Sequence, residues 1–350
     1  MLRPALRDLI WRRRRFAIAV LGTALVFGMT LVMTGISNGF DAEATNTVNE
    51  LGVTTWVVGQ GASGPFLGSS PMAATRVHEV AGLAGVTRAV DTVFTHKDIV
   101  RDGKPTSVNV FGAPRGDLGL PKVSEGRPPT HTGEIAISSK LHGYGIGAPL
   151  LLAGHRFTVV GVVDNSTALA GVPNVFLTLF DAQLVAFAGQ PVASAIAVSG
   201  MPAQLPLGLV ALSKQAARDD LLRALAQAQS TLSLIAVLLW VVAAMIVGSV
   251  IYVSVLERQR DFAVFKATGV STNSILGGLA FQAMLLSIAS ALIGSVIAAL
   301  LGPNFPMPVS ITLRAYLLLP VIAVGVGLLA SLSGLRRAVS VDPAVAFGGP

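Results

Sequence analysis

The sequence predicts an α-helical membrane protein: four transmembrane helices, with a large α+β extracytoplasmic domain between the first and the second. Three observations lead there. Residues 16–40, 224–256, 267–313 and 315–335 carry no Asp, Glu, Lys or Arg. A spanning helix needs about 20 consecutive apolar residues, so these runs hold four spans. The chain as a whole is 52% hydrophobic and only 12% charged, against about 25% charged in soluble domains. Residues 38–228, by contrast, have the composition of a soluble domain, with 13 Lys/Arg and 14 Asp/Glu.

In chain order, residues 1–15 read as a cytoplasmic interfacial helix. Leu2, Leu6, Leu9 and Ile10 fall on one stripe, and Trp11 with Arg12, Arg13, Arg14 and Arg15 anchors it at the bilayer surface. The first span follows at 16–37, and its end is read at Asn38-Gly39. The extracytoplasmic domain occupies 38–228. Its β-branched runs at 53–58, 108–111, 134–137 and 157–163 read as strands, 72–84 as a helix, and the Gly/Ser/Pro stretch 60–71 as a mobile loop. An amphipathic helix at 214–229 leads into the second span, 229–256. Then come a loop at 257–274, the third span at 275–302, an outer loop at 303–314, the fourth span at 315–335 and a tail at 336–350. Small residues recur four apart at Ser290, Gly294, Ala298 and Gly302, and at Ala244 and Gly248, which lets helix backbones approach closely.

Orientation follows from charge. Basic residues near span ends stay on the cytoplasmic side. Arg12–Arg15 put the N-terminus inside, and Arg258, Arg260, Lys266, Arg336 and Arg337 then fall inside too. The protein is expected in a bacterial cell membrane as a multi-pass chain with both termini cytoplasmic. The run Arg13-Arg14-Arg15-Phe16 also resembles a twin-arginine export signal, but the apolar run is long for one and no A-x-A-like site follows it closely.

Several function classes fall away. The basic excess sits beside a span while the 38–228 domain is near neutral, so it points to anionic lipid and not to nucleic acid. Gly59-Gln60-Gly61-Ala62-Ser63-Gly64 spells G-x-G-x-x-G, but Pro65 to Pro71 cannot open the helix that a dinucleotide site needs. Gly103-Lys104-Pro105-Thr106 is no phosphate loop, because Asp98 stands where the first glycine belongs and Pro105 lacks an amide hydrogen. The five histidines have no metal-ligand spacing, cysteine is absent, and no serine triad spacing occurs. No catalytic, cofactor-binding or metal-binding residue is expected, and the chain is not expected to be an enzyme.

The 257–274 loop is different. Glu257, Arg258, Arg260, Asp261 and Lys266 surround Phe262 and Phe265, which are three apart, and Gly269 ends the block. Such a block is either a loop helix lying on the inner leaflet or a docking knob for a soluble partner.

Its sequence, Glu257-Arg258-Gln259-Arg260-Asp261-Phe262-Ala263-Val264-Phe265-Lys266-Ala267-Thr268-Gly269, resembles the coupling signature of FtsX/MacB-type ABC transporter permeases. Ser124-Glu125-Gly126-Arg127-Pro128, Gly133 to Ser138 and Phe157 to Val163 resemble the ectodomain of that family. So do Leu51-Gly52 with Trp56-Val57-Val58 and, at the C-terminus, Val341-Asp342-Pro343-Ala344-Val345-Ala346-Phe347. The resemblance implies a permease subunit working with a separate ABC-type ATP-binding subunit and a second permease copy, identical or related. ATP and Mg would be used by that partner and not by this chain. ATPase closure would push on Glu257, Arg258, Arg260, Asp261, Phe262, Phe265, Lys266 and Gly269, with the phenylalanines as apolar anchors for the partner. The motion would drive the ectodomain by mechanotransmission, exporting or extracting a lipid, lipoprotein, peptide or hydrophobic drug. Two alternatives stay open: activation of a cell-wall hydrolase by an extracytoplasmic protein contact, and small-solute permeation, for an amino acid such as glutamine. The latter would need a polar path that the spans do not show.

Overall fold

The computed structural model describes residues 13–101, 104–116, 118–305 and 307–339. The chain divides into two compact units: Gly39–Ala228, and the residues up to Asn38 together with those from Gln229 onward.

The second of these is helical. It holds the first part of α1 (Arg13–Glu50), and later the helices that follow the ectodomain. Among the described residues, three further stretches besides α1 are long and apolar enough to cross a bilayer: Ala226–Glu257, Thr272–Asn304 and Leu313–Ala330. Their contacts explain the small residues. A Cβ on Gly28 would lie 3.0 Å from the Gly294 carbonyl oxygen, and one on Gly248 would lie 2.9 Å from the Ala330 oxygen. Backbone therefore meets backbone inside one chain, and the Gly248 and Gly294 positions serve this packing. Phe27 and Trp240 meet with ring centroids 5.3 Å apart.

The Gly39–Ala228 unit is α+β. Its strands are β1 (Thr55–Gly59), β2 (Met72–Ala73), β3 (Val86–Arg101), β4 (Lys104–Ala113), β5 (Glu125–Gly126), β6 (Glu134–Ser138), β7 (Pro149–Leu152), β8 (His155–Val163), β9 (Thr167–Ala168), β10 (Val172–Thr178), β11 (Val192–Ala193), β12 (Ala195–Gly200) and β13 (Leu209–Ser213). The main sheet runs β13-β1-β12-β3-β4-β10-β6-β8-β5, with β7 and β9 alongside, and β2 pairs β11 separately. Among the described residues, only β4–β10 and β6–β8 are parallel. One face packs Trp56, Phe66, Phe94, Phe111 and Phe176 against Ala44 and Val48 of α1 and Leu51 just beyond its end. The other is covered partly by α2 (Val77–Ala81) and α3 (Leu179–Phe187), which places Val80, Ala182 and Val185 over it.

Three expectations are corrected here. The first helix does not stop at Asn38-Gly39; α1 continues to Glu50. A mid-helix glycine costs about 1 kcal/mol, whereas burying side chains such as Val48 and Leu51 gains roughly 1.5–3 kcal/mol each. Of 72–84, only Val77–Ala81 is α-helical, because Met72 and Ala73 pair with β11. The helix expected over 214–229 breaks: α4 (Lys214–Arg223) ends before a turn at Ala224-Leu225, and α5 (Ala226–Glu257) begins after it.

The 60–71 stretch, expected to be a mobile loop, is fastened instead. Asp220 of α4 is fully buried, and its two carboxylate oxygens accept the Phe66 and Gly68 amides at 2.8 and 2.9 Å. Arg223 lies 3.6 Å from the same carboxylate and donates to the Ser63 hydroxyl and carbonyl. A Cβ at Gly64 would fall 2.0 Å from the Asp220 carboxyl carbon, so only glycine fits there.

Candidate coupling site

After α5, the chain turns at Arg258 and re-enters a short helix, α6 (Gln259–Ala267), before α7 (Thr272–Leu301). Arg258 has left the helical region, at φ −114° and ψ 15°, and its carbonyl accepts the Phe262 amide at 3.0 Å. The two phenylalanines do face one way, as their spacing implies. They face inward: Phe262 is 3% exposed and packs with Val255, Ile275 and Leu279, with Phe265 half-buried beside them. The expectation that Phe262 offers its ring to a partner is thus corrected. It pins α6 to the ends of α5 and α7, a burial that stabilises the turn by roughly 1.5–3 kcal/mol.

The helix ends as its sequence directs. Gly269 sits at φ +87°, a region that costs other residues about 1–2 kcal/mol. Its amide reaches the Lys266 carbonyl at 3.0 Å, and the Val270 amide reaches Phe265 at 2.9 Å. These two bonds form a Schellman motif, with Val270 and Phe265 in the same apolar cluster. Val270 then precedes the Ser271 cap of α7, and Ile275 lies four residues past that cap in the same cluster, a hydrophobic staple. One small core therefore fixes both the entry to α7 and the exit from α6.

What remains outside is the other face. Glu257, Arg260, Asp261, Ala267, Thr268 and Gly269 are exposed, Lys266 is half-buried, and Val264 presents its side chain at 46% exposure. The Arg258 guanidinium lies 5.3 Å from the Phe262 ring centroid, with Nε 3.7 Å from Asp261. This holds the arginine along the buried side of the turn. All eight expected coupling residues, from Glu257 to Gly269, are thus on one braced turn, but they divide between a pinning side and a more exposed face. Of the expected membrane anchors, Arg13 and Arg14 are exposed on the first turn of α1. Trp11 and Arg12 lie outside the described residues, as does the C-terminal motif at 341–347, and Arg15 is described only in its backbone.

The ectodomain motifs have structural roles. Glu134 at the start of β6 accepts a two-pronged contact from Arg127 and the amides of Thr130 and His131. These bonds hold its pKa well below the usual carboxylate range. Besides Asp220 and Asp181, both buried, sequence reasoning missed Glu43, Glu50 and Asp91. Glu43 of α1 accepts the Ala170 and Gly171 amides at 2.9 and 2.8 Å. Glu50 accepts the Ser166 hydroxyl at 2.5 Å. Asp91 on β3 is 5% exposed, and burial pushes its pKa up to about 7. The only available signal for Glu43 and Glu50 was an acid at helical spacing beside Ala44, Val48 and Leu51.

Comparison with known proteins accounts for the whole arrangement. Residues 16–228 match the MacB-like periplasmic core domain, and residues 233–343 match the FtsX-like permease C-terminal domain. The chain belongs to the FtsX/MacB-type ABC transporter permeases. An uncharacterized ABC transporter permease of Mycobacterium tuberculosis (strain ATCC 25618 / H37Rv) is 49% identical to this permease over 350 residues, covering 100% of both chains. Another from the same strain is 50% identical over 353 residues, again over 100% of each. A Staphylococcus haemolyticus protein named for hemin transport, the permease HrtB, is 23% identical over 363 residues and 99% of each chain. Among solved structures, the periplasmic region of MacB from Actinobacillus actinomycetemcomitans aligns with a TM-score of 0.35 and 12% identity, covering 49% of the permease and 94% of that chain. The permease is accordingly a cell-membrane protein and a subunit of a transporter that has an ATP-binding partner.

Proposed function

We propose that this permease couples ATP hydrolysis by a separate subunit to movement of its ectodomain, through docking on the outer face of α6. The carrying observation is the division of α6. Phe262 holds the helix in place from within, while Arg260, Asp261 and Val264 stand exposed on it. A helix clamped at both ends by apolar packing moves together with α5 and α7, so a push on its exposed face reaches the helices themselves. In this reading α6 is cytoplasmic, a second permease copy completes the transporter, and ATP with Mg binds only the partner. The cargo is apolar or amphipathic and is handled at or outside the outer leaflet, since the predicted spans carry no charged side chain to line an ionic path.

The test uses the co-purified complex. Val264→Glu with Arg260→Glu alters only exposed positions and should lower co-elution of the ATPase by tenfold or more, with the permease still inserted and unchanged in melting temperature. Normal co-elution together with normal ATPase activity in that variant would refute docking on this face.

A further inference from the structure

A cavity of about 400 Å³ opens in the ectodomain where α1 ends. Such a volume is within the range of small-molecule sites. Glu50, Lys122 and Asp164 line it, over a floor that includes Leu120, Pro121 and Val163. Leu120, Pro121 and Val163 are buried, so the floor is a fixed apolar surface. The charges above it are of both signs and are not spent on one another. Glu50 contacts Ser166, Asp164 accepts from Ser139 at 3.1 Å, and Lys122, which is exposed, pairs with neither carboxylate. The α1 terminus adds to the negative side: its last turn holds Glu50 and no basic residue. A helix C-terminus carries about half a negative charge, so Glu50 adds to a negative end; burial raises its pKa, the Ser166 hydroxyl donates to it, and the exposed Asp164 supplies the second carboxylate of the cavity.

We infer that this cavity binds a zwitterion whose primary ammonium faces Glu50, Asp164 and the end of α1, while its anionic group, a phosphate, faces Lys122. The apolar floor takes the short carbon stem between the two charges. An ammonium with N–H donors fits better than a quaternary one, because the carboxylate oxygens and helix carbonyls are hydrogen-bond acceptors. A phosphoethanolamine group has this chemistry, free or as a lipid headgroup. The inference goes beyond ATP coupling, since it requires no partner subunit.

The experiment uses the full-length permease, purified without ATPase or ATP. Binding of O-phosphoethanolamine is titrated calorimetrically in phosphatidylcholine nanodiscs. Phosphocholine and glycerol phosphate serve as analogues, and a second arm compares nanodiscs with and without phosphatidylethanolamine by thermal stability. Saturable binding of free phosphoethanolamine, at least tenfold tighter than either analogue, supports the site with a soluble ligand. Stabilisation only by phosphatidylethanolamine supports it with a lipid headgroup. In either case Lys122→Met and Asp164→Asn should each weaken the effect at least tenfold, and Lys122→Arg should restore most of it. Both altered positions are exposed, and unchanged melting without ligand confirms that the variants fold. No saturable response in either arm, equal response to phosphocholine, or binding indifferent to both substitutions would each overturn the inference. None of these results depends on docking at α6, so the two proposals fail separately.

Discussion

Asp220→Asn changes one atom and should loosen a whole segment. The wild-type carboxylate accepts the Phe66 amide on one oxygen and the Gly68 amide on the other. An asparagine has a single acceptor oxygen, so one amide is left facing an NH2 group. Losing a hydrogen bond to a charged acceptor costs about 1.5–3 kcal/mol. The site is fully buried, so water cannot replace the lost acceptor. Arg223, 3.6 Å away, loses its carboxylate as well, but it is half exposed and adds little. The expected loss is therefore about 2–3 kcal/mol. Phe66 feels it most, because that ring meets Trp56 at 5.1 Å, Phe94 at 5.4 Å and Phe111 at 5.9 Å. Hydrogen exchange on the full-length protein is the assay: the peptide covering 63–70 should exchange about 30-fold or more faster than in wild type. Denaturant unfolding of the same protein measures the total cost. Wild-type protection at Gly68, with stability unchanged within 0.5 kcal/mol, would refute the idea that Asp220 fastens this segment.

Three further outcomes are expected. Gly269→Ala meets open space but keeps φ +87°, so it should cost about 1–2 kcal/mol and fray α6, seen as faster exchange over 264–270. Asp91→Asn should change the pH dependence of stability: the raised native pKa of about 7 means that the wild-type contribution is full below about pH 4 and is lost as pH rises through 7. The asparagine variant should thus gain on wild type between about pH 4 and pH 7, by at most ~4 kcal/mol and by roughly half that after solvent screening; parallel pH–stability curves would contradict it. For orientation, the cysteine-free chain permits single labels: Ser124→Cys should react with an impermeant thiol reagent in intact cells and Ser271→Cys only after lysis, and the reverse pattern would invert the proposed topology.

What the sequence made legible, and what it hid, follows from the range of the forces involved. The spans were visible because exclusion of charge from hydrocarbon acts on every residue of a run and needs no partner. The end of α6 was visible because Gly269 meets a local backbone requirement, satisfied within five residues by Phe265 and Lys266. The 60–71 segment was misread because its anchor, Asp220, lies 154 residues from Phe66 in sequence. Gly, Ser and Pro composition reports only the freedom of an unanchored chain. At Asn38-Gly39 the local stop signal was correctly seen and then outweighed by the burial of Ala44, Val48 and Leu51, which no local pattern prices.

Phe262 shows a different limit. Two phenylalanines three apart announce an apolar face, but the spacing is the same whether that face meets a foreign subunit or the chain's own helices. The deciding residues are Val255, Ile275 and Leu279, which stand on the two flanking helices. With them in place, the proposed docking falls to Arg260, Asp261 and Val264, which stand exposed, and Phe262 holds the helix that carries them. Phe262→Ala should accordingly differ in kind from Val264→Glu. Truncating a buried Phe costs about 3–5 kcal/mol, so α6 should loosen, and exchange over 259–270 should rise with or without the ATPase present. Val264→Glu should leave that exchange as in wild type and weaken only the partner's hold. If the two variants instead gave the same exchange pattern, the division of α6 into a pinning side and a docking face would be wrong.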